Sequence, residues 1–305
     1  MHAAAAAASL ASIAAKKGHF SFLPSVAGAS TAGQTLSGLP EFSAAKTIKV
    51  NPDKPQEEVR YQVLDQQKSL IVPTPRLSKG LFNRLSVPPG PNSKEDLRKL
   101  ASRHGIDKDS KPVPMASRFK VDLFVVGCVA VDRQGRRLGK GEGYADLEWA
   151  LAASNHGSAV GPDTLVVTSV HDCQVFDALP AELFQSHDLG VDIIVTPSEI
   201  IRVEKPLPKP TKILWNLLTR EKFQSIEILT EIQFKEKRAG NDVRLKDEDS
   251  SNGDAAQQQQ QQPISNNNRN SKRRNNKKQQ QQEDAQNGDG GEANEPGPGK
   301  RRNPR

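Results

Sequence analysis

The stretch VDLFVVGCVAVDRQGRRLGKGEGYADLEWA, residues 121–150, decides the fold. Val121 to Val131 is a continuous apolar run of the kind found in strands buried on both faces. Asp132 and Gly135 mark a turn. Gly139, Gly141 and Gly143 then alternate through a short loop, and a helix-forming run follows from Tyr144. A glycine-rich turn that opens a helix presents unpaired backbone N–H groups and the positive end of the helix dipole, which is how α/β proteins hold phosphate. Arg137 is placed for charge-assisted hydrogen bonds to a phosphate oxygen, and Lys140 can act likewise. Asp146 can bind a metal ion or hold the loop. The plainer alternative is a glycine turn carrying solvated Arg and Lys.

Outward from this stretch, strands and helices alternate. Lys54 to Gln67 reads as a helix with Val59, Val63 and Leu64 on one face and Pro55 in its first turn. Ser69 to Pro75 is a short buried strand stopped by prolines. Ser93 to Gly105 carries both helix signals: Ser93 as cap with Asp96 three residues on, and Gly105 as terminator. The helix after the glycine loop ends at Gly157. Thr164 to Val170 and Val191 to Pro197 are two more buried strands, and Lys212 to Lys237 reads as largely helical. This order predicts a three-layer α/β domain with a mostly parallel sheet, over residues 41–237.

The ends differ in composition. Residues 1–40 contain no Asp or Glu and are rich in Ala, Ser and Gly, which reads as a low-complexity extension, with an organelle transit peptide as the alternative. Residues 238–305 form a Gln/Asn-rich basic tail, expected to stay disordered because it lacks apolar residues to bury. Within it Arg269, Lys272, Arg273, Arg274, Lys277 and Lys278 form a basic cluster suited to RNA through phosphate neutralisation, or to nuclear import. No aromatic residue lies in the tail, so base stacking is not expected of it. The net charge of +7 is a weak pointer to polyanions unless clustered. The two cysteines, Cys128 and Cys173, fit neither a disulfide framework nor a zinc pattern, so a reducing, cytoplasmic setting is expected. No window is apolar enough to span a bilayer.

His171, Asp172 and Cys173 follow a strand, where α/β folds bind ligands. Neighbouring residues on an extended chain point to opposite faces, so the run is not expected to form a Cys–His dyad. Asp192 is a metal-ligand candidate or a strand-edge carboxylate.

The loop resembles the signature of the 5-formyltetrahydrofolate cyclo-ligase, or methenyltetrahydrofolate synthetase, family, approximately RLGxGxGYYD. Arg137, Leu138, Gly139, Gly141, Gly143, Tyr144 and Asp146 match it. Gln174, Pro180, His187, Asp188, Asp192 and Thr196 also fall on the family's downstream pattern. Lys49 to Arg60, Leu70 to Leu77 and Gly80 to Asn83 are similar to the domain-containing branch of that family, and the likeness covers roughly residues 40–237. It implies an ATP- and Mg²⁺-dependent reaction on a folate: the formyl oxygen of 5-formyltetrahydrofolate is phosphorylated, N10 attacks, and phosphate leaves to give 5,10-methenyltetrahydrofolate. Positioning and charge neutralisation suffice for such chemistry.

This chain departs from the pattern. Ala145 replaces the second Tyr, Leu147 stands where the family is often basic or small, and Glu142 adds an anion beside the phosphate site. The basic N-terminal helix that the family uses on ATP has no evident counterpart. The reading favoured by the sequence is therefore a synthetase-like binding protein with reduced or no cyclo-ligase activity and an RNA association through its tail. The alternative is an active ligase. Vertebrate proteins of the same branch carry an RNA-recognition motif after the synthetase-like domain, and this chain shows no sequence like the aromatic RNA-binding strand of that module.

Overall fold

A computed structural model of the chain describes residues 28–246, except 79, 115–116 and 155–158. The elements are α1 (Ala29–Ser37), α2 (Pro40–Ala44), β1 (Thr47–Val50), α3 (Glu57–Asp65), β2 (Ser69–Pro73), β3 (Phe82–Leu85), α4 (Lys94–Ala101), α5 (Arg103–Asp109), β4 (Lys111–Pro112), β5 (Leu123–Val126), β6 (Ala130–Asp132), β7 (Arg137–Leu138), α6 (Tyr144–Ala153), β8 (Leu165–Ser169), β9 (Val175–Phe176), β10 (Ile193–Val195), β11 (Ile200–Arg202), α7 (Arg220–Gln224) and α8 (Glu227–Arg238). The main sheet has eight strands in the order β11-β10-β8-β5-β1-β2-β3-β4. Its core from β10 to β2 is parallel; β11 and β3 run against it, and β4 pairs antiparallel with β3. A second sheet, β7-β6-β9, carries the glycine loop.

Strand alternation sorts the core into two layers. Ile48 and Val50, Leu70 and Val72, Leu123 and Val125, and Val167 face α1 to α4, which offer Leu36, Phe42, Val59, Val63 and Leu97. Ile71, Phe124, Val126, Val166 and Ile194 face the other way, against Trp149 and Leu151 of α6 and Leu229 and Ile232 of α8. The three-layer α/β architecture with a mostly parallel sheet is as expected from the sequence. Among the described residues no helix is long and apolar enough to cross a membrane.

Lys49 interrupts the second apolar layer. It is fully buried, its ammonium lies 4.1 Å from the centre of the Phe124 ring, and it donates to Glu148 of α6 at 2.6 Å. Central strand and loop helix are thereby pinned together by an ion pair in a nonpolar surround.

Several boundaries differ from the sequence reading. Val121 to Val131 is two strands in two sheets: the chain leaves β5 at Gly127, and Val129 N–H bonds Leu138 O at 2.7 Å. An apolar run cannot show this break, because both halves are buried. Gly105 does not end a helix. Ser102 breaks the helix with an extended backbone and recaps it, its Oγ accepting from Gly105 N–H at 3.2 Å. Ser93 and Asp96 do form the expected reciprocal cap. The 40/41 boundary is corrected too: α1 and α2 belong to the folded body, with Ala32, Leu36, Leu39 and Phe42 buried. The boundary at 237 moves outward, since Val243 and Leu245 join the core and Lys246 N–H bonds Leu218 O. Between 212 and 237, α-helix begins only at Arg220.

Two outcomes follow. Phe42→Ala lowers the unfolding free energy by ~3–5 kcal/mol, read from denaturant titration of the full chain; a change within about 0.5 kcal/mol, as at a surface site, would put α2 outside the folded body. Glu148→Ala, which strands a buried ammonium, costs ~3–5 kcal/mol, whereas Lys49→Met combined with Glu148→Leu restores the wild-type midpoint or exceeds it.

Candidate functional site

A cleft of about 1140 Å³ opens where β1, β2 and β5 end, beside the loop Gly139–Gly143. The order of the parallel strands reverses between β1 and β5, and the crevice beyond such a reversal is where open α/β sheets take ligands. Asn51 after β1, Thr74 after β2 and Gly127 after β5 all line it.

The loop is built as its glycines require. Gly141 has φ 90° and Gly143 has φ 67°, conformations that cost other residues strain. Gly143 precedes α6 with no side-chain cap, so the N–H groups of the first turn stay uncapped where Tyr144, Ala145 and Asp146 line the cleft. Arg137 is nearly buried. Its Nη2 donates to Asp146 Oδ1 at 2.5 Å, and among the described residues its Nε has no partner. Asp146 Oδ1 also accepts from Leu189 N–H at 2.9 Å, so its carboxylate ties the loop to the chain before β10. Lys140 Nζ reaches Asp53 Oδ1 at 2.5 Å. The Asp53 loop is itself held by buried Arg60, whose Nη1 donates to Asn51 O and Asp53 O at 2.6 and 2.9 Å. Gly139 lines the cleft at the loop's entrance, and the Tyr144 ring carries the Lys222 ammonium 3.8 Å from its centre.

The departures read from sequence look different in place. Glu142 is exposed and lies 3.5 Å from Lys222, so a cation accompanies its charge. Leu147 is buried in the core. Ala145 does line the cleft, where a second aromatic side chain would stand. Cations that sequence reasoning missed come from four separate places: Arg76, Arg103, Lys212 and Lys222. Arg103 is paired with Asp107, whereas among the described residues Arg76 and Lys212 have no ion-pair partner. Arg76 and Leu77 have φ of 51° and 55°, a strained pair at the mouth of β2 that costs ~1–3 kcal/mol per residue. No local periodicity could have flagged these residues. Helix α1, ASTAGQTLS, contributes no basic side chain.

Asp192 is not brought to the loop. Its Oδ2 accepts from Val166 N–H at 2.6 Å and from Lys209 at 2.9 Å, so it anchors the segment after β11. Among the described residues no group of three His, Cys, Asp or Glu side chains could hold a metal ion. His171 Nδ1 accepts from Cys173 N–H at 3.2 Å, which makes the run a turn cap; Asp172 bonds Ser198. Burial pushes the Cys128 thiol up to about 11, and that group is inert. Gln174 bonds the carbonyls of Cys128 and Val129, a structural role, while His187 lines the cleft. Arg269, Lys272, Arg273, Arg274, Lys277 and Lys278 lie outside the described residues.

The sequence model of the 5-formyltetrahydrofolate cyclo-ligase family matches residues 8–197. A methenyltetrahydrofolate synthase domain-containing protein of Mus musculus is 48% identical over 229 residues, 75% of this chain and 60% of that protein. A 5-formyltetrahydrofolate cyclo-ligase of Mycolicibacterium smegmatis is 30% identical over 99 residues, 32% of this chain and 45% of that one. The NMR structure of Aquifex aeolicus 5,10-methenyltetrahydrofolate synthetase aligns at 25% identity over 58% of this chain and 81% of that chain, with a TM-score of 0.39. The chain spans about 60% of the length of its mouse relative. The family match runs through both the glycine loop and the strands that frame the cleft, and the chain belongs to the 5-formyltetrahydrofolate cyclo-ligase family.

Proposed function

We propose that the cleft binds Mg·ATP together with a folate, and that ring closure is slow or absent in this chain. One observation carries the binding half: an uncapped helix N-terminus shares the cleft with Arg76, Lys212 and Lys222. These are the elements of a polyphosphate site. The cleft's volume exceeds the usual range for one small ligand, leaving room for a second. Bound ATP supplies the phosphoryl group that turns the formyl oxygen into a leaving group. Lys212 and Lys222 would neutralise phosphate charge, and the loop N–H groups would orient the oxygens. With no cluster of three metal ligands among the described residues, Mg²⁺ would be held chiefly through the phosphates.

The other half rests on what the chain's own groups are already doing. Arg137 is engaged by Asp146, Lys140 by Asp53, and α1 brings no cation. One missing charged contact, worth ~1–3 kcal/mol, lowers turnover about 5- to 150-fold.

Calorimetry of the purified full chain is expected to show Mg·ATP binding that Gly141→Asp abolishes. The same protein given 5-formyltetrahydrofolate is expected to give little or no rise in methenyl absorbance. A turnover equal to an active family enzyme assayed in parallel would refute the slow-chemistry half; no heat with Mg·ATP would refute the binding half.

RNA association is a separate proposal for the tail, on the strength of the cations between Arg269 and Lys278. Crosslinking to RNA is expected to weaken steeply with salt and to vanish when the chain is cut after Lys246. Crosslinks that survive this truncation would move the activity to the folded domain.

A further inference from the structure

The floor of the cleft holds three polar side chains that the phosphate site does not use. Asn51 and Glu148 line the cleft, and Lys49 lies beneath them, fully buried. Lys49 Nζ donates to Asn51 Oδ1 at 2.9 Å and to Glu148 Oε2 at 2.6 Å. An ammonium has donors only, so it fixes which way the Asn51 amide points. Asn51 Nδ2 must turn away from Lys49, and Glu148 Oε1 is the carboxylate oxygen left over. Among the described residues neither atom has a hydrogen-bond partner, and neither is sealed from the cleft. Both residues are more than nine-tenths buried. The Asn51 backbone is immobilised in turn by Arg60 at 2.6 Å.

The floor therefore presents one fixed donor and one fixed acceptor from a neutral, desolvated pair. Phosphate is a poor match, since a carboxylate oxygen would face it. A flat ring with a carbonyl beside an N–H matches it. Building on the folate reading above, we infer that Asn51 and Glu148 form the recognition site for the pterin ring of the folate, with Lys49 as the residue that positions both. Asn51 Nδ2 donates to the ring's 4-oxo group, and Glu148 Oε1 accepts from its N3–H. Buried polar groups of this kind reject an analogue that offers the wrong edge, because both partners are then left unpaired.

A 2,4-diaminopteridine presents that wrong edge: an amino donor where pterin has its oxo group, and a bare ring nitrogen where pterin has N–H. The test is titration of the full chain with 6-methylpterin and with 2,4-diamino-6-methylpteridine, near neutral pH where both rings are uncharged, followed by ring fluorescence. Wild type is expected to prefer the pterin by at least about tenfold. The double variant Asn51→Asp, Glu148→Gln keeps one carboxylate on Lys49 and reverses the order of donor and acceptor, so its preference is expected to invert. Wild type binding both rings equally would overturn the inference even if the double variant did not fold. So would displacement of the pterin by Mg·ATP from wild type, since an adenine edge would then be occupying the floor. A folded double variant that keeps the pterin preference, while still binding 5-formyltetrahydrofolate, would overturn the subsite and leave the folate reading standing. Wild type binding neither ring nor 5-formyltetrahydrofolate would overturn both.

Discussion

A lysine ammonium in the middle of a sheet must be satisfied, and the geometry of the cleft depends on how this is done. Lys49 sits fully buried on the central strand, its ammonium over the Phe124 ring. Burial pushes its pKa down and that of Glu148 up, while each charge opposes the other's shift. The pair persists because removing either member would leave an uncompensated charge away from water. Its location matters more than any stability it adds: it fixes the helix that follows the glycine loop against the strand that leads into Asn51. A second buried cation does comparable work from the other face. Arg60 is held at about 10 by desolvation and gathers the carbonyls of Asn51, Asp53 and Ala101. The loop after β1 is thus clamped from both sides of the sheet.

The glycine loop is anchored by its own charges in the same manner. Arg137 to Asp146, Asp146 to Leu189 N–H, and Lys140 to Asp53 link it to three neighbours. A loop so tied is pre-ordered for a ligand, which reduces the entropy lost on binding. It also means that two of the cations read from sequence as phosphate ligands, Arg137 and Lys140, are already held by carboxylates. Arg76 and Lys212, by contrast, have no ion-pair partner among the described residues.

The sequence disclosed the parts whose signals are local. The apolar run, alternating glycines and helix former of residues 121–150 marked strand, loop and helix, and the Ser93–Asp96 cap formed as spaced. It concealed features that depend on remote partners. Lys49 in TIKVNP looks like any strand lysine until Glu148, on a distant helix, is placed against it. Helix α1 is made of small uncharged residues, and its burial against α3 cannot be told from low complexity. The break at Gly127 is invisible because the residues on either side are equally apolar. Glu142 reads as a lone repulsive charge only when Lys222, from α7, is out of view.

Lys222 gives the family border a structural meaning. The family match stops at residue 197, yet Leu218, Thr219 and Lys222 form part of the cleft, and Val243 and Leu245 wedge the segment that bears them into the core. A fragment cut to residues 8–197 would keep the parallel strands and the glycine loop but lack the later residues that line the cleft. Part of the cleft's lining is thus built by residues that a comparison limited to the shared segment never sees.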